Sequence, residues 1–185
     1  MTTQVTTPTA VSTWSIDPMH SGAEFAVKHM MVSTVKGRFR SLSGAIRLDE
    51  AHPENSFVTA TIDTASIDTG VDQRDEHLRS ADFFEVERFP EITFRGTRVE
   101  HVEGTRWRIT GELTIRDVTK EVLLDTEYEG QIKDAYGKQR VAFSADTELN
   151  RKDFGLNWNG LIEAGGVVVS DKVRVTLNIA AVREE

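Results

Sequence analysis

Alternation of apolar and polar residues is the feature that most limits what this chain can fold into. It is clearest near the C-terminus, where single residues separate Val173, Val175, Leu177, Ile179 and Ala181. A period of two residues places alternate side chains on the same face of a β-strand. The C-terminal segment is therefore predicted to be a strand with one buried face.

The same alternation recurs along the chain. It is found at positions 25–27, 58–62, 92–94, 109–115, 122–124 and 141–149, and with segments 36–39 and 44–48 it predicts about eight strands. Turn residues lie between them, as at 49–55, 103–104 and 134–137. This spacing favours a barrel or sandwich over βαβ units, which need long helical crossovers. The predicted fold class is all-β.

Two intervals depart from the alternation. Asp72 can cap a helix over residues 73–81, and Asp75 resembles the second member of a capping box, so a short helix is expected at about 72–81. The stretch 151–166 contains Phe154 and Trp158 among glycines and asparagines and is long for a hairpin loop. Long loops with buried aromatic residues are often functional.

Composition limits the class of function. The chain has no cysteine, which excludes disulfides and thiolate chemistry, and its net charge of −8 disfavours nucleic acid as a partner. A local basic patch could still exist at Lys36, Arg38 and Arg40. No apolar run approaches the roughly 18 residues of a membrane span.

The chain is short enough for one folded domain, expected over residues 14–183. Residues 1–13 are rich in threonine and lack both a basic region and an apolar run. They predict a disordered tail rather than a secretory signal, so the cytoplasm is the expected compartment.

Motifs for catalysis, metal binding and cofactor binding are lacking. The five histidines form neither a His-x-His nor a His-Glu-x-x-His pattern, and the sequence contains no Gly-x-Ser-x-Gly or dinucleotide-binding motif. We therefore predict no catalytic residues, no metal and no cofactor, and a protein that is not an enzyme.

An eight-stranded barrel either fills its interior with side chains or encloses one small ligand. Because a packed core and an apolar tunnel use the same residue types, periodicity leaves both alternatives open.

An ordered series of short segments resembles the YceI-like family of lipocalin-like polyisoprenoid-binding proteins. The segments are 14–21 (WSIDPMHS), 25–30 (FAVKHM), 33–39 (STVKGRF), 66–69 (SIDT), 74–84 (RDEHLRSADFF), 89–94 (FPEITF), 111–115 (GELTI), 118–120 (VTK), 150–155 (NRKDFG) and 171–175 (DKVRV). The ordered series is far more specific than any one segment.

The resemblance implies an extended eight-stranded antiparallel barrel with a helix and an internal tunnel. It also implies that the protein carries or sequesters a polyisoprenoid or a similar amphiphile, such as a quinone precursor or a fatty amide. Some members form dimers, so a homodimer is a candidate assembly.

With this ligand in view, two sets of binding residues are predicted. Those for the tunnel are Phe25, Val27, Met30, Leu78, Phe84, Phe94, Leu113, Phe143 and Trp158, and those near a head group are His29, Arg74, His77 and Asn150. Two alternatives stay open: an enzyme acting on an isoprenoid lipid with His29 or His77 as a base, and a ligand-free structural or stress-response barrel.

Overall fold

The computed structural model describes residues 11–160 and 166–185, and most of its regular structure is β-strand. The strands are β1 (Val11–Ile16), β2 (Gly22–His29), β3 (Ser33–Phe39), β4 (Leu42–Asp49), β5 (Phe57–Asp63), β6 (Ile67–Asp68), β7 (Glu91–Glu103), β8 (Arg106–Ile115), β9 (Val118–Lys133), β10 (Gln139–Asn150) and β11 (Val169–Arg183). One α-helix, α1 (Asp72–Arg79), lies between β6 and β7.

These segments form a closed, antiparallel barrel of eight strands. β1 and β2 both pair with β11, at successive positions along it. Next to them, β4 pairs with β1 and β3 pairs with β2. In turn, β5 pairs with β4 and β6 pairs with β3. The consecutive segments β1 and β2 therefore form one bent strand, as do β3 with β4 and β5 with β6. The other five strands, β7 to β11, follow in chain order. The predicted eight-stranded antiparallel barrel with one short helix is confirmed.

Local sequence accounts for the bends. Pro18 lies between β1 and β2, and proline has no N–H with which to continue a ladder. Between β5 and β6 the chain forms a short 3-10 turn, Thr64–Ser66, in which the Asp63 side chain accepts a hydrogen bond from the Ala65 N–H. The bends close the long ladders into a ring with two open ends.

The two ends differ in their connections. At the upper end lie the β2–β3 and β8–β9 turns, α1 and the segment that follows β10. At the lower end lie the β4–β5, β7–β8 and β9–β10 connections. Buried apolar side chains form one cluster that includes Phe39, Phe154 and Leu156, and a second that includes Trp14 and Val141.

Helix α1 begins differently from the prediction. The residue before its first turn is Val71, and no side chain there accepts a capping hydrogen bond. Asp72 is already inside the helix, so the predicted cap is wrong. The buried carboxylate of Asp75 instead accepts hydrogen bonds from the Thr69 N–H at 2.9 Å and the Thr69 hydroxyl at 2.5 Å. Asp75 therefore fixes the chain that enters the helix.

Strand β1 begins at Val11, three residues before the predicted start of the domain at Trp14. Trp14 is fully buried and its Nε1–H donates to the Ser12 hydroxyl at 2.7 Å, while Val11 pairs with Asp49 of β4. The polar residues Ser12 and Thr13 thus belong to the barrel. Residues 1–10 of the predicted tail lie outside the described residues.

Asp17 connects the bend after β1 to the lower end of β10. Its carboxylate accepts hydrogen bonds from Arg140 Nη1 at 2.8 Å and from the Met19 N–H at 3.0 Å, and it contacts His20 Nδ1 at 2.8 Å. The hydrogen bond from Arg140, followed by that from His20, lowers the pKa of Asp17 to about 2, although burial opposes the shift.

Asp17→Asn should remove part of the acid sensitivity of the barrel. A pKa that is lower in the folded than in the unfolded state stabilises the fold above the ordinary value of 3.8, and this contribution is lost as pH falls toward about 2. The wild type should therefore lose about 1–2 kcal/mol over this interval that the variant does not lose. Urea denaturation between pH 5 and pH 2 measures the difference. Asp125→Asn, at an exposed position on β9, is the control, and parallel curves for wild type and Asp17→Asn would contradict the assignment.

Candidate functional site

The inward-facing side chains leave a cavity of about 580 Å³ inside the barrel. It extends from Phe154 and Leu156 at the upper end to Phe57 and Trp107 at the lower end. Sites for small molecules typically occupy roughly 300–1,000 Å³. The interior is therefore not a packed core, and its volume suits a ligand.

Small residues at inward positions keep the middle of the cavity open. Ala23, Ala60 and Ala145 all line it. At Gly111 on β8 the ring of Phe94 occupies the space that a side chain would fill, and a Cβ atom there would also lie 2.7 Å from the Arg95 carbonyl oxygen. Glycine at this position leaves room for the Phe94 ring.

Gly111→Ala should displace the Phe94 ring into the cavity. The added methyl group overlaps the ring and the backbone of β7, so the free energy of unfolding should fall by about 1–3 kcal/mol. Urea denaturation measures this loss. Gly137→Ala in the β9–β10 turn is not a suitable control because its φ is +82°. Gly22→Ala, where an added Cβ would meet no atom within 4 Å, should change stability far less, and equal losses in both variants would contradict this account.

Polar lining residues occur at both ends of the cavity. Asp49, Glu50 and Ser56, in and around the β4–β5 connection, and Gln131 of β9 lie at the lower end, and Arg151 lies at the upper end. Between the ends the wall is mostly apolar, with residues such as Leu113, Leu124, Val175 and Leu177, and it also includes Thr126 and Thr147. The arrangement suits a molecule with a long apolar part and a polar end.

Arg151 is the most buried charged residue of the cavity wall, with 5% of its surface exposed. Its guanidinium donates hydrogen bonds to four backbone carbonyl oxygens, those of Leu156 at 2.6 Å, Trp158 at 2.8 Å, Ser170 at 2.9 Å and Val169 at 3.1 Å. Burial lowers the pKa of Arg151, and the nearby Asp171 carboxylate opposes the shift. Arg151 thus ties the segment after β10 to the start of β11.

Seven of the predicted binding residues lie in the cavity wall: Phe25, Val27, Leu78, Phe84, Phe94, Leu113 and Phe143. The alternation along β2, β7, β8 and β10 turns five of them inward, and α1 with the link that follows it brings Leu78 and Phe84 over the upper end. That each contacts a ligand stays a prediction.

The other predicted tunnel residues, Met30 and Trp158, are not part of the cavity wall. Met30 lies in the β2–β3 turn with 45% of its surface exposed. The Trp158 ring packs edge-on against His77 and is tilted against Phe83, with centroid distances of 4.7 Å and 5.4 Å. Trp158 therefore contacts the cavity wall through Phe83 and through Arg151, which hydrogen-bonds to its carbonyl oxygen, without lining the cavity itself.

The four residues predicted near a head group also lie outside the cavity wall. His77 Nε2 contacts the Asp82 carboxylate at 2.8 Å, and Arg74 donates to the hydroxyl and carbonyl oxygens of Thr69. Asn150 accepts a hydrogen bond from the Lys152 N–H, and His29 is the last residue of β2. The polar groups of His77, Arg74 and Asn150 thus serve local structure, and a ligand contact by any of the four residues stays a prediction.

Sequence reasoning missed Arg151 and, apart from Phe143, the wall residues in the lower half of the cavity. Phe57, Trp107, Ile109 and Leu124 line the wall there. Alternation along β8 and β9 was the signal that could have found Trp107, Ile109 and Leu124, whereas Phe57 has the opposite parity to the inward residues Val58, Ala60 and Ile62 of β5. Arg151 left no such signal, because it follows the last residue of β10. Residues 161–165 of the irregular stretch 151–166 lie outside the described residues.

Over residues 11–160 and 166–185, no helix is long and apolar enough to cross a bilayer. In the same part of the chain, no group of three or more His, Cys, Asp or Glu side chains is arranged to hold a metal ion.

A closed eight-stranded antiparallel barrel around an apolar cavity defines a lipocalin-like protein. The YceI-like domain profile matches residues 14–181. The chain belongs to the YceI-like family, and the resemblance drawn from its motifs is confirmed.

Known proteins agree with this assignment. Protein YceI of Salmonella newport is 39% identical over 137 residues, which cover 74% of this chain and 71% of that protein. The crystal structure of a YceI protein from Campylobacter jejuni superposes with a TM-score of 0.73 at 33% identity, covering 85% of this chain and 90% of that one.

A more distant structure shares the fold. It is a polyisoprenoid binding domain from Saccharophagus degradans implicated in plant cell wall breakdown. Its TM-score is 0.65 at 17% identity, with coverage of 92% of this chain and 98% of that one.

Proposed function

We propose that the protein binds a long apolar amphiphile in the barrel cavity and carries or sequesters it. The candidates are a polyisoprenoid, a quinone precursor and a fatty amide. The observation that carries the proposal is the cavity of about 580 Å³, whose wall is mostly apolar. The binding of polyisoprenoid by the Saccharophagus domain of the same fold supports this ligand class.

The physical basis is hydrophobic transfer. Each CH₂ group that moves from water into an apolar environment contributes roughly 0.8 kcal/mol. A chain lying along Leu113, Leu124 and Leu177 would therefore bind without a strong polar contact. A head group at either end would remain near solvent or near the polar residues there.

Binding without turnover is the activity proposed. The two histidines considered as bases, His29 and His77, lie outside the cavity wall, and His77 is engaged with Asp82. A base must be within hydrogen-bond reach of the proton that it removes. Incubation of the protein with its extracted lipid, followed by mass spectrometry of the lipid, tests this point. Unchanged lipid is expected, and a product that forms only with protein would favour the enzyme alternative.

Native mass spectrometry of the purified protein tests the ligand itself. The expected result is a bound mass that is released on denaturation and is recovered by organic extraction as an apolar amphiphile. The same spectrum counts subunits and so tests the predicted homodimer.

Failure to bind must be separated from loss during purification. Protein stripped of lipid is therefore offered a polyprenol, a ubiquinone and an oleamide, and uptake is measured by native mass spectrometry. A folded protein that carries no apolar molecule and takes up none of the three would contradict the proposal and leave the ligand-free barrel.

A further inference from the structure

The turn between β2 and β3 presents three consecutive apolar side chains to solvent. Met30, Met31 and Val32 are 45%, 61% and 85% exposed. They form the outermost part of a hairpin at the upper end of the barrel, since His29 and Ser33 are its last paired residues. We refer to residues 30–32 as the apolar tip.

The backbone of the apolar tip is strained. Met30 and Met31 have φ angles of +48° and +65°, and the Val32 N–H donates to the His29 carbonyl oxygen, closing the turn. Positive φ at both central positions is typical of type I′ turns, where Asn-Gly is favoured because larger side chains are disfavoured in this conformation. Two methionines at these positions therefore contribute neither core packing nor a relaxed turn.

Basic side chains lie on the outer face beside the apolar tip. Lys28 is two residues before Met30. Lys36 of β3 and Arg174 of β11 both pair with Ala26 of β2, so the two basic residues lie in one row across the three strands. All three are exposed, and among the described residues none of them forms an ion pair.

Acidic groups next to this face are engaged elsewhere or lie farther from the tip. Glu148 of β10, opposite Arg174, contacts Lys172 Nζ at 3.0 Å. Asp171, in the part of β11 opposite Lys28, contacts Lys152 Nζ at 3.3 Å, and Glu24 lies six residues before Met30. The face nearest the tip is therefore locally basic on a chain whose net charge is −8.

We propose that the apolar tip inserts into the surface of an anionic lipid bilayer while Lys28, Lys36 and Arg174 contact the lipid head groups. Exposed apolar side chains flanked by Lys and Arg are the combination that binds lipid surfaces, because the apolar groups leave water and the cations neutralise anionic lipids. A convex tip of three residues buries its whole surface in a deformable lipid layer. A flat protein surface, such as that of a second copy, would cover only part of it.

The position of the tip relates docking to the cavity. Val27 and Val169 line the upper part of the cavity wall, and Val169 pairs with His29 at the base of the tip. Docking would therefore hold the upper end of the barrel against the bilayer. The inference depends only on the outer surface and holds whether or not the cavity contains a ligand.

Co-sedimentation with vesicles tests docking. Full-length protein is mixed with vesicles of phosphatidylglycerol and phosphatidylethanolamine, and with vesicles of phosphatidylcholine alone. Binding is expected to the anionic vesicles and to decrease as the salt concentration rises. Lys28→Gln and Lys36→Gln should each lower the partition coefficient about fivefold, the equivalent of ~1 kcal/mol for each cation.

The double variant Met30→Asn with Met31→Gly separates docking from folding. It removes two apolar side chains and supplies the preferred residues of the turn, so the thermal midpoint should stay the same or rise while the vesicle partition coefficient falls more than about tenfold. Ile132→Asn removes an exposed apolar side chain from the lower end of β9 and should leave vesicle binding unchanged.

Three results would overturn the inference. The first is failure of the wild type to bind anionic vesicles, and the second is equal binding by the wild type and the double variant. The third is a difference in subunit number between the wild type and the double variant, measured by native mass spectrometry, while their vesicle binding is the same. That result would make the tip a contact between copies of the chain. Lipid content of the cavity is measured on the same samples, so failure of docking and failure of ligand binding are read separately.

Discussion

Replacing Phe143 with aspartate is expected to lower the affinity for an apolar amphiphile at least about 100-fold. Phe143 lines the cavity from β10, where its ring lies 5.7 Å from that of Tyr128, centroid to centroid. A carboxylate in this wall either remains charged among apolar groups or is neutralised by a raised pKa, and either state costs several kcal/mol when a ligand excludes water. Uptake of a polyprenol by lipid-stripped protein, measured by native mass spectrometry, checks the result.

Asn178→Asp is the matched control for this experiment. Asn178 is exposed on β11 and pairs with Ser144, the residue after Phe143, so the new carboxylate lies on the outer face close to the same strand. It adds the same charge without entering the cavity and should leave uptake unchanged. Retention of ligand by a folded Phe143→Asp protein, verified by circular dichroism, would show that the ligand does not lie against β10.

An uncharged variant tests volume independently of polarity. Val175 lines the same cavity from β11 and pairs with Thr147 of β10. Val175→Trp should occupy part of the space that an alkyl chain requires and reduce uptake without introducing a buried charge. Because an empty cavity accommodates a larger side chain better than a packed core does, the variant should remain folded.

The sequence predicted the barrel and part of the cavity wall because both depend on local alternation. Phe94 and Phe143 lie at inward positions of β7 and β10 and were identifiable from their neighbours two residues away. Closure of the barrel was not local: β1 and β2 meet β11 only because the last strand of the chain returns to the first. Knowledge of that return came from the resemblance to a family.

Met30 shows where alternation stops being informative. The period of Phe25, Val27 and His29 does not reach Met30. Met30 was assigned to the tunnel because a flexible methionine pair suits an adaptable apolar cavity, but the chain leaves the ladder at that residue and turns with a positive φ. The direction of a side chain in a turn depends on the turn geometry. An apolar residue can therefore directly follow a strand with a buried face and still be exposed.

Arg151 was beyond local reasoning for a different reason. Its four carbonyl partners belong to residues 5 to 19 positions farther along the chain, and they converge only when β11 pairs with β10. No residue type marks a backbone carbonyl as an acceptor. Burial of the guanidinium is therefore a consequence of the completed fold.

Arg151→Met is expected to lower the free energy of unfolding by about 3–5 kcal/mol. Methionine fills much of the volume but donates no hydrogen bond, so the carbonyl oxygens of Leu156, Trp158, Val169 and Ser170 lose the guanidinium that satisfies them. Urea denaturation at pH 7 measures the loss as a lower midpoint, with an m-value that shows whether two-state unfolding persists.

Lys152→Met provides the control at the next position. Lys152 is exposed and its Nζ lies 3.3 Å from the Asp171 carboxylate, so it contributes a surface ion pair worth less than about 1 kcal/mol. Arg151→Lys should be intermediate, because an ammonium group keeps the charge but cannot reach four carbonyl oxygens held around a planar guanidinium. If Arg151→Met and Lys152→Met lowered stability equally, the buried guanidinium would not be what joins the segment after β10 to the start of β11, and the upper wall of the cavity would have to be held by the packing of Phe154 and Leu156 alone.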